Sequence, residues 1–248
     1  MIRAMIFDLD GTLVQTERLK AISYAQAVQE LCPFTVTEGE VLEYFKNVVG
    51  LSRQEVAEAL VEHYQLAAHL QPRLAELGVS TLWQGFIQIR LRYYEALIAD
   101  PEVLRQSIWP HNVELLRRAR QTTCRTALAT MSHCLQVQYI LGVLGFNDLF
   151  DFVATRDDVE HGKPDPEIYQ LIARQFHIVP EECLVIEDSL AGVQAAVAAG
   201  MQVIAVTTPF TRDAVNMTDV LDHRWIVNEP ALLLPTVAEL VDLVPVGI

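Results

Sequence analysis
A run of oily residues near the start of the chain, Met5–Leu9, reads as a buried strand, yet the pattern it belongs to resumes only after Trp109–Pro110. From about Glu17 to Arg105 the apolar residues recur at helical spacing, as in Leu19, Ile22 and Val28, or Val56, Leu60 and Tyr64. No strand is evident in that stretch. Beyond Pro110 the texture alternates. NVELLRRAR, CLQVQYILGVLG, PEIYQLIARQF and LAGVQAAVAAG read as helices, the last stopped by Gly200. RTALAT, LFDFVAT, CLVIED and MQVIAV read as strands between them. Such alternation predicts an α/β fold with a mostly parallel sheet covered on both faces. The first strand must join that sheet, so the helical stretch is an insertion. Residues 1–14 and 106–248 are expected to form the α/β core and 15–105 an all-helical cap.

With 248 residues, 51% of them hydrophobic, the chain can bury a large core. Its net charge is −14, which argues against nucleic acid or an anionic membrane surface as partner. The excess acid lies mainly in the expected core, since residues 15–105 hold 8 basic and 12 acidic side chains of the 18 and 32 in all. No apolar run approaches the ~18 residues of a bilayer-spanning helix. The start reads as a strand broken by acids rather than a secretory leader. The four cysteines, Cys32, Cys124, Cys134 and Cys183, form no CxxC pair and are expected to be reduced thiols of a cytoplasmic protein.

Ligands of open α/β sheets bind beyond the carboxyl ends of the strands, so the residues there carry the chemistry. Asp8 and Asp10 follow the first strand, Thr130 and Ser132 follow RTALA, and Glu187 and Asp188 close CLVI. Lys163 lies in the loop RDDVEHGKPDP. Carboxylates converging on one point repel unless a cation joins them. A hard, oxygen-seeking ion such as Mg²⁺ meets that need and also accepts phosphate oxygens. One aspartate can then act as ligand and nucleophile, while Thr130 and Lys163 hold the other phosphoryl oxygens.

At these residues the chain resembles the haloacid dehalogenase superfamily of phosphotransferases. DLDGT, the hydroxyl of ALATMS, the lysine of HGKPDP and the acidic pair of VIEDS stand in the family's order. EDSLAGVQAAVAAGM looks most like the β-phosphoglucomutase-like branch, which carries a helical cap after the first strand. The resemblance implies a Rossmann-like core with that cap, Asp8 as nucleophile and Asp10 as general acid/base. It implies Thr130 and Lys163 as phosphoryl holders. Mg²⁺ would be bound by Asp8, the Asp10 carbonyl and Asp188, with Glu187 in the surrounding shell or at a ligand water. In GLSR, Gly50–Arg53, the arginine resembles one that grips a second phosphate in that branch.

Blander roles compete at each position. Asp8 and Asp10 could be turn residues before Gly11, Ser132 an ordinary helix N-cap, and Lys163 a solvated loop cation. Asp188 or Ser189 could cap the next helix. His133 and Cys134 are sequence neighbours and read as packing or surface rather than a catalytic pair. His161 reads as loop surface, and Trp83, Phe86, Tyr93 and Tyr94 as cap core. The mutases resembled carry an Asp and a His where this chain has Gln15 and Lys20. The expected function is therefore a Mg²⁺-dependent phosphatase of a small phosphorylated metabolite, a sugar or polyol phosphate, acting through an aspartyl-phosphate. A phosphosugar mutase is the alternative, and a phospho-receiver or binding module the non-enzymatic rival. Oligomeric state is not legible.

Overall fold
A computed structural model of the chain describes all residues except Phe34, Gly50 and 242–248. Gly50 of the GLSR motif therefore lies outside the described residues. The chain divides into two compact units, Met1–Gln15 with Leu104–Ile248, and Thr16–Val103.

The first unit is a six-stranded parallel sheet of β1 (Ala4–Phe7), β2 (Arg125–Ala129), β3 (Phe152–Ala154), β4 (Cys183–Glu187), β5 (Gln202–Val206) and β6 (Ile226–Val227). The order is β3-β2-β1-β4-β5-β6. Phe7 stands level with Leu128 on one side and Ile186 on the other. Every residue of β1 and β4 is buried, as both-sided coverage by helices requires. β3 is shorter than LFDFVAT suggested, because Asn147–Leu149 is spent on a 3₁₀ turn. β6, only two residues long, carries no readable alternation.

The second unit is helical: α1 (Thr16–Leu31), α2 (Glu38–Phe45), α3 (Arg53–His63), α4 (Ala67–Leu70) and α5 (Leu82–Ala99), with α6 (Pro101–Gln106) following. The remaining helices are α7 (Pro110–Arg120), α8 (Cys134–Leu144), α9 (Glu167–Phe176), α10 (Leu190–Ala198), α11 (Arg212–Asn216) and α12 (Leu233–Ala238). Among the described residues no helix is long and apolar enough to cross a membrane. Ser52 with Glu55 and Thr81 with Gln84 form capping boxes that start α3 and α5. α1 packs against α5 and α2, and α3 against α5. Phe86 and Tyr94 are core, as the sequence suggested, whereas Trp83 and Tyr93 are only half-buried.

Glu30 ties this helical unit together. It accepts from the Tyr93 hydroxyl at 2.7 Å and pairs with Arg73 at 2.8 Å and with Arg92. Burial alone would raise its pKa, but the hydrogen bonds from Tyr93, Arg73 and Arg92 prevail and lower it. A depressed folded pKa adds stability above the ordinary carboxylate range that is lost as pH falls through the folded value. Glu30→Gln is expected to cost about 1 kcal/mol at pH 7, reduced by solvent screening at this partly exposed site. Urea unfolding should show that difference shrinking below pH ~4. Equal midpoints for the two proteins at pH 7 would refute it.

Candidate active site
The chain runs outward from β1 to β2 and β3, then returns to lay β4 on the other side of β1. That reversal opens a crevice at the carboxyl ends of the central strands, where such sheets bind ligands. Asp8 leaves β1 beside the end of β4, its amide donating to the Ile186 carbonyl at 3.0 Å. It is 5% exposed, and Glu187 and Asp188 are each 1% exposed. One carboxylate oxygen from each of the three lies within 4.8 Å of the others.

Lys163 enters this cluster from the loop before α9. Its ammonium donates to Asp8 Oδ1 and Glu187 Oε1, each at 2.7 Å, and to the Ala129 carbonyl at 3.0 Å. The Tyr169 ring lies beneath it, 5.2 Å from centroid to Nζ, and the phenol reaches Glu187 Oε1 at 3.5 Å. Burial disfavours the charged amine, but Asp8 and Glu187 overcome this and hold Lys163 protonated well above its ordinary range. Asp8 is pushed well above the usual carboxylate range by burial, with Glu187 and Asp10 adding to the rise and Lys163 opposing it. One ammonium does not balance this many acids.

Glu187 is a hub. Its Oε2 accepts from the amides of Asp188 and Ser189, both at 2.7 Å, and from the Ser189 hydroxyl at 3.0 Å. With Lys163 and Tyr169 on Oε1, its two oxygens serve the β4 turn and the lysine. Gly192 makes room for it, since a Cβ there would fall 1.7 Å from Oε1. Ser189, not Asp188, caps α10. Asp188 is met by the Thr12 hydroxyl at 3.3 Å. Gly11 holds a left-handed turn with φ +94°, and its missing Cβ would lie 2.2 Å from Asp188 Oδ2. Only glycine satisfies both demands. Asn112 of α7 fixes the same turn by donating to the Thr12 carbonyl at 2.5 Å.

Asp10 points elsewhere. Its Oδ2 accepts from Ser132 Oγ at 2.6 Å and from Thr130 Oγ1 at 3.1 Å, so its carboxylate is not part of the acidic cluster. Ser132 is therefore not the N-cap its position suggested. His133 occupies that place without a capping side chain, and Asp157 instead accepts from the Cys134 amide at 2.7 Å. His133 also pairs with Asp157 and is exposed, as is His161 beside Glu167, so both are surface residues as read. Sequence reasoning missed Tyr169, Thr12 and Asn112, and mistook Ser132. A hydroxyl two residues beyond Thr130 at a strand end was the one signal available. Arg53, the first residue of α3, is exposed within the helical unit.

Residues 2–200 match the family of haloacid dehalogenase-like hydrolases. The chain belongs to that family. Among its relatives, the protein CbbY of Cereibacter sphaeroides is 27% identical over 86% of this chain and 87% of its own. A phosphorylated carbohydrates phosphatase of Thermotoga maritima is 28% identical over 80% of this chain and 82% of its own. In fold, the chain is similar to β-phosphoglucomutase of Clostridium difficile, with a TM-score of 0.65 and 22% identity over 96% of each chain. The mostly parallel core sheet and the helical unit inserted after β1 are features of this haloacid dehalogenase-like fold.

Proposed function
We propose that this haloacid dehalogenase-like hydrolase is a Mg²⁺-dependent phosphatase of a small phosphorylated metabolite, of the sugar or polyol phosphate class. The observation that carries this reading is the buried set Asp8, Lys163, Glu187 and Asp188 at the strand ends, with Asp10 two residues beyond. Relatives named as phosphatases of this family support the reaction class.

The residues fit a divalent metal. Every donor in the cluster is a carboxylate oxygen, which suits Mg²⁺ rather than a soft ion. Lys163 alone leaves the acids undercompensated, and a dication would restore balance. Gly11 keeps the approach to Asp188 clear of a side chain. Asp8, Asp188 and the Asp10 carbonyl would hold the ion, with Glu187 orienting Lys163 and the β4 turn. Bound there, the metal would neutralise charge on the phosphoryl oxygens.

Asp8 then attacks phosphorus, and the bond to the leaving oxygen breaks as that oxygen takes a proton from Asp10. Asp10 next removes a proton from water. The water oxygen attacks the aspartyl-phosphate, releasing inorganic phosphate and free Asp8. Thr130 and Ser132 set the starting position of Asp10 through their two hydroxyls. As a phosphoryl holder, Thr130 would turn its single hydroxyl proton from Asp10 to the substrate. Lys163 opposes the rise in the Asp8 pKa and so favours the carboxylate that attacks.

Phosphate release from sugar phosphates, measured with excess chelator and then with Mg²⁺ or Mn²⁺ restored, tests the reading. Activity is expected to fall to background and return with either ion. Undiminished release in chelator would overturn the metal requirement. Interconversion of hexose phosphates without phosphate release would make the protein a mutase despite Lys20.

A further inference from the structure
The backbone of Ser132 is anchored without help from its side chain. Its amide donates to Thr130 Oγ1 at 3.0 Å, and its carbonyl accepts from the Arg156 amide at 3.2 Å. The Thr130 amide in turn donates to the Ala154 carbonyl at 3.0 Å. Met131, between the two hydroxyl residues, packs against the hydrophobic core. These contacts hold the turn after β2 and do not need the Ser132 hydroxyl. Nor does that hydroxyl cap α8, where His133 takes the cap position. Its proton goes instead to Asp10 Oδ2 at 2.6 Å, from a residue only 9% exposed.

Thr130 reaches the same Asp10 oxygen at 3.1 Å. A hydroxyl has one proton to give, although its oxygen can accept from two donors. Thr130 can therefore keep the Ser132 amide whatever its proton does. It cannot donate to Asp10 and to a phosphoryl oxygen together. When a phosphoryl group takes that proton, the longer of the two bonds to Asp10 is lost and the shorter one stays. At that moment Asp10 is most prone to move. The buried acids Asp8, Glu187 and Asp188 form one cluster nearby, and the charge of Asp10 is felt at Asp8. A hard dication held there would attract any carboxylate within reach. A carboxylate drawn toward it would leave the place from which it meets the leaving oxygen.

We propose that Ser132 is a positioning residue, which holds the Asp10 carboxylate in place for proton exchange while Thr130 turns to the phosphoryl group. The two hydroxyls share one oxygen in the free protein and then divide: Thr130 holds substrate and Ser132 holds the acid. This rests on the phosphatase reading and on Asp10 as its acid and base. Proton transfer needs placement to within about 0.5 Å, so losing the tether is felt in rate more than in binding.

The test is p-nitrophenyl phosphate turnover, followed through the first cycles in wild type, Ser132→Ala, Asp10→Asn and the double variant. Nitrophenolate departs without a proton, whereas hydrolysis of the aspartyl-phosphate needs Asp10 to deprotonate water. In Ser132→Ala that hydrolysis is expected to slow roughly 30-fold, a part of the ~10²–10⁴ that a positioned acid–base group supplies. The first step slows far less, so nitrophenolate appears in a burst before a slow steady phase. In the Asp10→Asn background the same change should cost less than about twofold, because the group it positions is gone. The structure of the beryllium fluoride adduct gives a readout free of turnover, and should show Thr130 turned to fluoride with Ser132 still on Asp10. Equal losses in both backgrounds would make Ser132 structural and overturn the proposal. So would a Ser132→Ala protein as fast as wild type, or an adduct in which Ser132 has left Asp10. A wild type that still hydrolyses the ester in those cases keeps the phosphatase reading and loses only this role for Ser132. A wild type that releases no phosphate and forms no adduct overturns the phosphatase reading itself, and the proposal with it.

Discussion

Asp8→Asn is expected to lower turnover by at least ~10³-fold, since under the proposed mechanism it removes the attacking oxygen's charge and weakens a metal ligand in one step. The amide matches the carboxylate in size, so the β1 terminus should keep its shape. Lys163 would still pair with Glu187 through the 2.7 Å contact and donate to Ala129. Folding should therefore survive while chemistry does not. Beryllium fluoride, which mimics an acyl-phosphate, should form its adduct on Asp8 in the wild-type protein and none in the variant. An adduct on Asp188, or a variant with most of its activity, would remove Asp8 from the role assigned to it.

Lys163→Met should destabilise the core unit strongly. The lysine side chain is 5% exposed, and its two acidic partners are 7% and 1% exposed. Methionine fills similar space but leaves Asp8 and Glu187 buried without their cation. Stranding buried charges in this way costs about 3–5 kcal/mol. The pH dependence carries a definite sign. The folded pKa of Lys163 is raised, so its contribution is fully present below the ordinary lysine range and is lost only as pH rises through the folded value. The pKa of Asp8 is raised even with the lysine in place, so the folded protein binds more protons than the unfolded one as pH falls. Without the lysine this effect should grow, and the variant should regain stability between pH 7 and pH 5. Denaturant unfolding at the two values reads this directly, and Mg²⁺ added at pH 7 should recover part of the loss. A variant as stable as wild type at pH 7 would show that the ion pairs contribute little.

The sequence by itself determined the architecture and which polar residues gather at the carboxyl ends of the strands. Both depend on local regularities. An all-apolar β1 is legible because a strand covered on both faces needs no polar residue. Asp8, Thr130 and Glu187 are legible because a parallel sheet places every strand's carboxyl end on one edge, so residues far apart in the chain converge by topology alone. What only the tertiary structure decided is which partner each polar group takes. Asp10 faces Thr130 and Ser132 rather than the acidic cluster, and Lys163 rests on Tyr169. Arg90 is buried while Arg92, two residues on, is exposed beside Glu30. Helical spacing puts the two on opposite faces of α5, but it does not say which residues of the other helices each face meets. Their difference arises from helices α1 and α5 meeting along one face, where Tyr24 and Tyr94 enclose one guanidinium and leave the other in solvent. Such pairings are set by packing between segments distant in the chain, and the local periodicities readable in a sequence do not encode them.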